Sequence, residues 1–147
     1  MLALVRDISA HESRLLQCSD AELAAGTVKF KERLLAGVSL EEIQLEAFAL
    51  VREAAWRVLN ASPADTHLIA GLVLHRGKIA EVEAGWEETG LVATLPAYLN
   101  ALGGKGVHIV ACSDFSARRD FDWAGSLYKF LGQSPLLPAV LGYAPFG

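Results

Sequence analysis

Residues 78–94 constrain the fold of this chain more than any other stretch. They read KIAEVEAGWEETGLVAT, a short apolar segment, a loop that contains glycine, and the start of an apolar helix. A strand, a loop and a helix in that order form the frame of a phosphate-binding loop, which ends in Gly-Lys-Ser or Gly-Lys-Thr. Glu87, Glu88 and Thr89 stand where that ending is expected. The frame predicts an α/β unit, whereas the two glutamates oppose the binding of phosphate.

Length and composition limit the class of protein. The chain has 147 residues, of which 52% are hydrophobic and 20% charged, and these values predict one globular domain. A net charge of -4 argues against a nucleic-acid partner, since such proteins carry a basic face. The spacing of Cys18 and Cys112 fits neither a disulfide framework nor a metal site, so we expect reduced thiols in the cytoplasm. No stretch reaches the roughly 18 apolar residues of a membrane span, and the N-terminus lacks a signal-peptide pattern. We therefore expect at most peripheral contact with a membrane.

The first 60 residues are predicted to be helical. Two capping boxes, in which a serine is followed three residues later by glutamate, begin at Ser19 and Ser39. The second opens the strongest helical pattern in the chain, with apolar residues at Leu40, Ile43, Ala47, Leu50, Val51, Ala54 and Val58. Residues 1–60 thus form a helical lead-in to the rest of the domain.

Residues 61–132 are predicted to form a β-α-β-α unit. An apolar run at 67–74, favoured as a helix, precedes a strand at 78–82, a helix at 89–102, a buried strand at 107–112 and a last helix from Ser113 to about Leu131. His108 is expected in the core. This order implies parallel strands with right-handed crossovers, hence an α/β fold with a short parallel sheet. Residues 133–147 have no charge and contain three prolines, so we expect this tail to cover a sheet edge or the protein to self-associate.

Long runs of the chain resemble the SecA preprotein translocase ATPase family over roughly residues 15–132. They are LEAFALVREAA at 45–55, LVLHRGKIAE at 72–81, LVATLPAYLNAL at 91–102 and GKGVHIV at 104–110. SDFSARRD at 113–120 is similar to that family's Asn-Asp-Tyr-Leu-Ala-Arg-Arg-Asp. The resemblance implies the N-terminal part of a first nucleotide-binding, DEAD-like and RecA-like domain, from a motor that hydrolyses ATP to move proteins through a membrane channel. On this basis residues 1–132 are a truncated form of that domain and 133–147 an unrelated tail.

The resemblance also implies where a nucleotide would bind. The family's loop reads Thr-Gly-Glu-Gly-Lys-Thr and aligns with residues 84–89, with one additional residue, most simply Gly90. The family's adenine pocket, Met-Arg-His-Phe-Asp-Val-Gln, aligns with residues 61–67, where only Asp65 is kept. Gly85, Thr89 and Asp65 are therefore the remnants of a nucleotide site.

Acidic side chains surround the remnant loop. Glu81, Glu83, Glu87 and Glu88 fall within eight residues. A unit negative charge about 4 Å from a phosphate charge is unfavourable by roughly 4 kcal/mol at an effective dielectric near 20, and such a penalty weakens binding about 10³-fold. The cluster lacks the Asp-x-Asp-x-Asp-Gly spacing of a calcium loop, so a solvated acidic loop is favoured over a metal site.

The main functional interpretation is a binding or scaffold module related to protein export that does not hydrolyse ATP. No cofactor is expected, and ATP or ADP with magnesium would bind only if the remnant site still accepts it. Expected partners are full-length SecA, the protein-export channel or a second copy, met in the cytoplasm or at the periphery of the inner membrane. Arg118 and Arg119 are candidate interaction residues, or else pair with Asp114 and Asp122. The alternatives are an ATP-binding translocase subunit whose site a partner chain completes, and a truncation product without a function.

Overall fold

Six α-helices form the regular structure of the protein in a computed structural model that describes residues 2–82 and 85–133. In chain order they are α1 (Leu2–Leu15), α2 (Asp20–Leu35), α3 (Leu40–Leu59), α4 (Asp65–His75), α5 (Trp86–Ala101) and α6 (Asp114–Phe130). Apart from Gln133, the tail at 133–147 lies outside the described residues.

The prediction of an α/β fold with a short parallel sheet is wrong. Neither 78–82 nor 107–112 is a strand, and the described ranges contain only helices and irregular segments. Residues 107–110, including His108, are exposed rather than in the core, and Ile79 is 96% exposed. A parallel strand needs neighbouring strands and cover on both faces, and the described residues supply neither to these two segments. The β-branched residues of these two segments therefore do not form a sheet, because β-propensity depends on packing against neighbouring strands.

The central helix of the fold is α3, which contacts α1, α2, α5 and α6. Residues 47–51 are consecutive and all buried, so neighbours cover α3 on every side there. The fifth helix also packs on α4, and Gly71 permits this approach. A Cβ atom at Gly71 would lie 3.0 Å from Leu95 and 3.2 Å from Phe48. The core is thus built around α3, with α4 and α5 joined beside it.

Both predicted capping boxes are confirmed. The backbone N–H of Ser19 donates to Glu22 Oε2 at 2.7 Å, and that of Ser39 donates to Glu42 Oε2 at 2.8 Å. The N–H groups of both glutamates donate back to the serine hydroxyls at 3.3 Å. The serine backbone hydrogen bonds lower the pKa of Glu22 and of Glu42 below the ordinary value of 4.5.

This capping makes part of the stability dependent on pH. An acid whose pKa is lower in the folded state stabilises that state when ionised. The contribution of Glu22 and Glu42 is therefore present above pH 4.5 and is lost as the pH falls through their lowered folded pKa. A Glu22→Gln/Glu42→Gln variant is expected to melt below the unchanged chain at neutral pH, with the difference shrinking in acid. Thermal unfolding followed by circular dichroism checks this, and a difference that is the same in strong acid would contradict it.

A buried polar cluster joins α2, α5 and the end of α6. Thr27 Oγ1 donates to the carbonyl oxygen of Leu131 at 2.5 Å and lies 2.7 Å from the hydroxyl of Tyr98. Because the threonine proton is used on the carbonyl, Tyr98 must donate to Thr27. Burial raises the pKa of Tyr98, so this phenol stays protonated as a donor.

Removing the Thr27 hydroxyl should therefore lower the free energy of unfolding more than removing the Tyr98 hydroxyl. Thr27→Val leaves both the Tyr98 hydroxyl and the Leu131 carbonyl unsatisfied, and is expected to lower the free energy of unfolding by about 3 kcal/mol. Tyr98→Phe leaves the Thr27–Leu131 bond in place and should cost about 1 kcal/mol. Urea unfolding of the two variants measures this order, which equal losses would contradict.

Candidate functional site

A cavity of about 490 Å³ lies between α4, residues 79–82 and the first turn of α5. This is the region to which the sequence assigned the nucleotide. Its apolar lining comes mainly from α4 and residues 79–82, and its polar lining consists of Thr66, His67, Glu81 and Glu88. Glu81 and Glu88 are the acidic residues among the described lining of this cavity.

The N-terminus of α5 is covered by its own acidic side chain. Gly85 is the N-cap residue, and Glu87 and Glu88 lie in the first turn. A Cβ atom at Gly85 would lie 2.9 Å from Glu88 Oε2, so the Glu88 carboxylate folds back over the glycine. The free N–H groups and the dipole of a helix N-terminus attract anions. In this structure the Glu88 carboxylate lies beside the N-cap residue, at the end of α5 that an anion would approach.

The hydroxyl of Thr89 is engaged by the backbone. It donates to the carbonyl oxygen of Gly85 at 2.9 Å, one turn earlier in the chain. In a phosphate-binding loop the hydroxyl at the equivalent position binds the magnesium ion. The structure thus brings Gly85 and Thr89 together, but in a contact that stabilises the start of α5.

Asp65 faces a different set of partners from Gly85 and Thr89. Its Oδ1 lies 3.4 Å from Arg52 Nη2, and Nη1 of the same arginine lies 3.3 Å from Glu12 Oε1. Burial raises the pKa of Glu12, while the charge of Arg52 opposes that shift. Asp65 does not line the cavity. Its contacts join the start of α4 to α3 and α1.

His67 lines the cavity, although sequence reasoning gave it no role there. The backbone N–H of Ala64 donates to His67 Nδ1 at 3.0 Å, so the imidazole caps the start of α4. Ala64 at the N-cap has no side-chain acceptor of its own, which was the available sequence signal. With Nδ1 used as an acceptor in this bond, Nε2 carries the proton of the neutral ring.

Trp86, the first residue of α5, contacts α6. Its ring lies 5.9 Å from that of Trp123 in an edge-to-face arrangement with an interplanar angle of 74°. The guanidinium carbon of Arg119 lies 4.3 Å from the Trp86 ring centroid. Arg119 also donates to Asp120 Oδ1 through Nε at 2.9 Å and Nη2 at 2.7 Å.

Arg118 behaves differently from Arg119. The ion pairs considered for it, with Asp114 and Asp122, do not occur in the described part of the chain. Among the described residues, Arg119 has defined intramolecular contacts, with Asp120 and Trp86.

The described residues contain neither a metal-binding cluster nor a helix suited to span a membrane. Across 2–82 and 85–133, no group of three or more histidine, cysteine or acidic side chains is placed to hold a metal ion. None of the helices described there combines the length and apolar character that crossing a membrane requires.

Comparison with known proteins decides the family. A family model described as the SecA DEAD-like domain matches residues 1–137. The chain belongs to this family. The resemblance to SecA found in the sequence is thereby confirmed.

The SecA subunits that this chain matches are much longer than the chain itself. The protein translocase subunit SecA of Solibacter usitatus is 57% identical over 132 residues, which are 90% of this chain and 14% of that protein. The SecA subunit of Carboxydothermus hydrogenoformans is 54% identical over 134 residues, or 91% of this chain and 15% of that protein. The SecA subunit of Thiobacillus denitrificans is 54% identical over 131 residues, which are 89% of this chain and 14% of that protein. The chain therefore spans about one seventh of the length of these SecA subunits.

Proposed function

We propose that this SecA-type chain is a binding module of the protein-export system that does not hydrolyse ATP. The position of the Glu88 carboxylate, folded over Gly85 at the N-terminus of α5, carries the proposal. A phosphate group that approached these N–H groups would have to displace that carboxylate and then lie beside it. The glutamate pair also removes the lysine charge on which a phosphate-binding loop depends.

Repulsion between the glutamates and a phosphate group would weaken nucleotide binding strongly. A carboxylate about 4 Å from a phosphate charge costs roughly 4 kcal/mol at an effective dielectric near 20. Glu87 lies beside Glu88 in the same turn and adds to this repulsion. A loss of that size places nucleotide affinity about 10³-fold or more below that of a working site. We therefore propose that ATP and ADP with magnesium are not cofactors of this chain.

Exposed apolar side chains support a binding role. Leu35 is 90% exposed, Val110 85% and Phe115 75%. Large exposed apolar residues are common at protein interaction surfaces when they lie together, and Phe115 follows closely after Val110 in the chain. The partners we propose are a full-length SecA, the export channel or a second copy, encountered in the cytoplasm or at the periphery of the inner membrane. An ATP-binding subunit completed by a partner chain is the competing function.

An ATPase assay on the purified chain tests the proposal. We expect no turnover with Mg-ATP, and no difference between the unchanged chain, Thr89→Ser and Thr89→Ala. Turnover that Thr89→Ala abolishes and Thr89→Ser retains would overturn the proposal, because it would show that the hydroxyl acts on magnesium. Sedimentation of the chain with and without purified full-length SecA tests the partner separately, and co-sedimentation is the expected result.

A further inference from the structure

Two pairs of residues, each spaced one helical turn apart, meet where α5 approaches α6. On α5 they are Trp86 and Gly90, and on α6 they are Arg119 and Trp123. Residues four positions apart on a helix lie on one face. The contact is therefore between two short faces, each about one helical turn long.

The geometry of this contact depends on the missing side chain of Gly90. A Cβ atom there would lie 2.8 Å from Cζ3 and 3.3 Å from Cε3 of Trp123. The Trp123 ring thus sits in the notch that the glycine leaves. From that notch it meets the Trp86 ring edge-to-face at 5.9 Å, an arrangement that aromatic pairs prefer. Arg119 adds its cation to the Trp86 ring, with 4.3 Å between guanidinium carbon and ring centroid.

This contact acts on the start of α5. Trp86 is the first residue of the helix, and Glu88, which lines the 490 Å³ cavity and covers Gly85, lies in the same turn. The first N–H groups of a helix have no partner within it, so this turn is the part of the helix that opens most easily. A side chain anchored at the first position restrains the whole turn.

We propose that Trp86, Gly90, Arg119 and Trp123 form a conformational latch by which α6 holds the first turn of α5, and with it the Glu88 wall of the cavity, in place. The latch does not require nucleotide and is independent of whether the chain hydrolyses ATP. Opening it releases the first turn of α5 and alters the cavity while the core around α3 stays folded.

One methyl group tests the latch. Gly90→Ala removes no contact atom, and helix propensity alone would make it stabilising, but its methyl group displaces the Trp123 ring. Gly125→Ala is the matched control, because Gly125 is also within a helix and a Cβ atom there meets nothing within 4 Å. Hydrogen exchange of the full chain, followed by mass spectrometry, reports on the amides of residues 89–92 and on those of α3.

Gly90→Ala is expected to speed exchange at residues 89–92 at least about tenfold with little change in α3, as for a local opening. Gly125→Ala is expected to leave hydrogen exchange unchanged or slower, both at residues 89–92 and in α3. Unchanged or slower exchange in Gly90→Ala would overturn the latch, and so would an equal increase in α3, which would mean general loss of stability. If Gly90→Ala does not fold, Trp86→Leu decides, since it removes both ring contacts without a steric clash. The same local increase supports the latch, and its absence overturns it.

Discussion

A chain that carries Glu87→Gly and Glu88→Lys is expected to bind inorganic pyrophosphate about 10³-fold more tightly than the unchanged chain. The first change removes a negative charge from the opening turn of α5. The second removes the carboxylate that folds over Gly85 and supplies a positive charge in its place. The gain corresponds to about 4 kcal/mol, the size of one close charge interaction at an effective dielectric near 20. Isothermal titration with pyrophosphate measures it without depending on the adenine pocket.

A charge-matched variant separates the local effect from net charge. In the test variant, Glu87→Gly makes the net charge more positive by one unit and Glu88→Lys by two units. Glu41→Gln with Glu32→Lys gains one and two units at exposed positions on α3 and α2. We expect this control to bind pyrophosphate as weakly as the unchanged chain. Equal binding by both variants would mean that general charge, and not the N-terminus of α5, sets the affinity.

Replacing Arg57 by methionine is expected to lower the free energy of unfolding by about 3–5 kcal/mol. Arg57 donates from Nε to Glu53 Oε1 at 2.7 Å and from Nη1 to Asp20 Oδ1 at 2.9 Å. It also donates to the carbonyl oxygens of Cys18 at 2.8 Å and Leu15 at 3.2 Å. The side chain of Glu53 is only 8% exposed, so the methionine variant leaves a buried carboxylate without its partner. Urea unfolding gives the loss.

Two controls bear on that explanation. Arg57→Met combined with Glu53→Gln should recover part of the stability, because the unpaired charge is gone. Arg33 pairs with Glu46 at 2.9 Å with side chains 38% and 30% exposed, and Arg33→Met should cost about 1 kcal/mol or less. A loss for Arg57→Met no larger than that for Arg33→Met would contradict the role assigned to the buried pair.

Local sequence signals predicted the starts of helices well, because they depend on residues close in the chain. Ser19 with Glu22 and Ser39 with Glu42 form capping boxes in the structure as the sequence indicated. The apolar run at 67–74 favours a helix, and these residues lie in α4. The predicted start of α5, at Thr89, is three residues later than the observed start at Trp86, because Gly85 is the N-cap of the helix and not part of a loop.

The sheet could not be judged from local sequence, because strands are stabilised by neighbours that are distant in the chain. Residues 107–112 have the β-branched composition of a buried strand, yet the described residues offer them no strand partner. The β-α-β-α order inferred from the phosphate-loop frame therefore had the helices right and the strands wrong.

The candidate site was predictable in charge but not in contacts. The replacement of the loop glycine and lysine by Glu87 and Glu88 is visible in the sequence. The return of Glu88 over Gly85, the pairing of Asp65 with Arg52 and the seat of Trp123 above Gly90 each join atoms whose proximity only the fold creates. Trp86 and Gly90 both contact Trp123 of α6, and this shared contact is likewise not visible in the sequence.

Calorimetric titration of the purified chain with ADP and with Mg-ATP tests the central claim most directly. We expect no heat of binding up to millimolar nucleotide, because the α5 N-terminus is covered by Glu88 and flanked by Glu87. Micromolar binding of either nucleotide would contradict the claim. It would show that the first turn of α5 rearranges to accept phosphate despite its charge, and that the chain has kept the nucleotide site of its family.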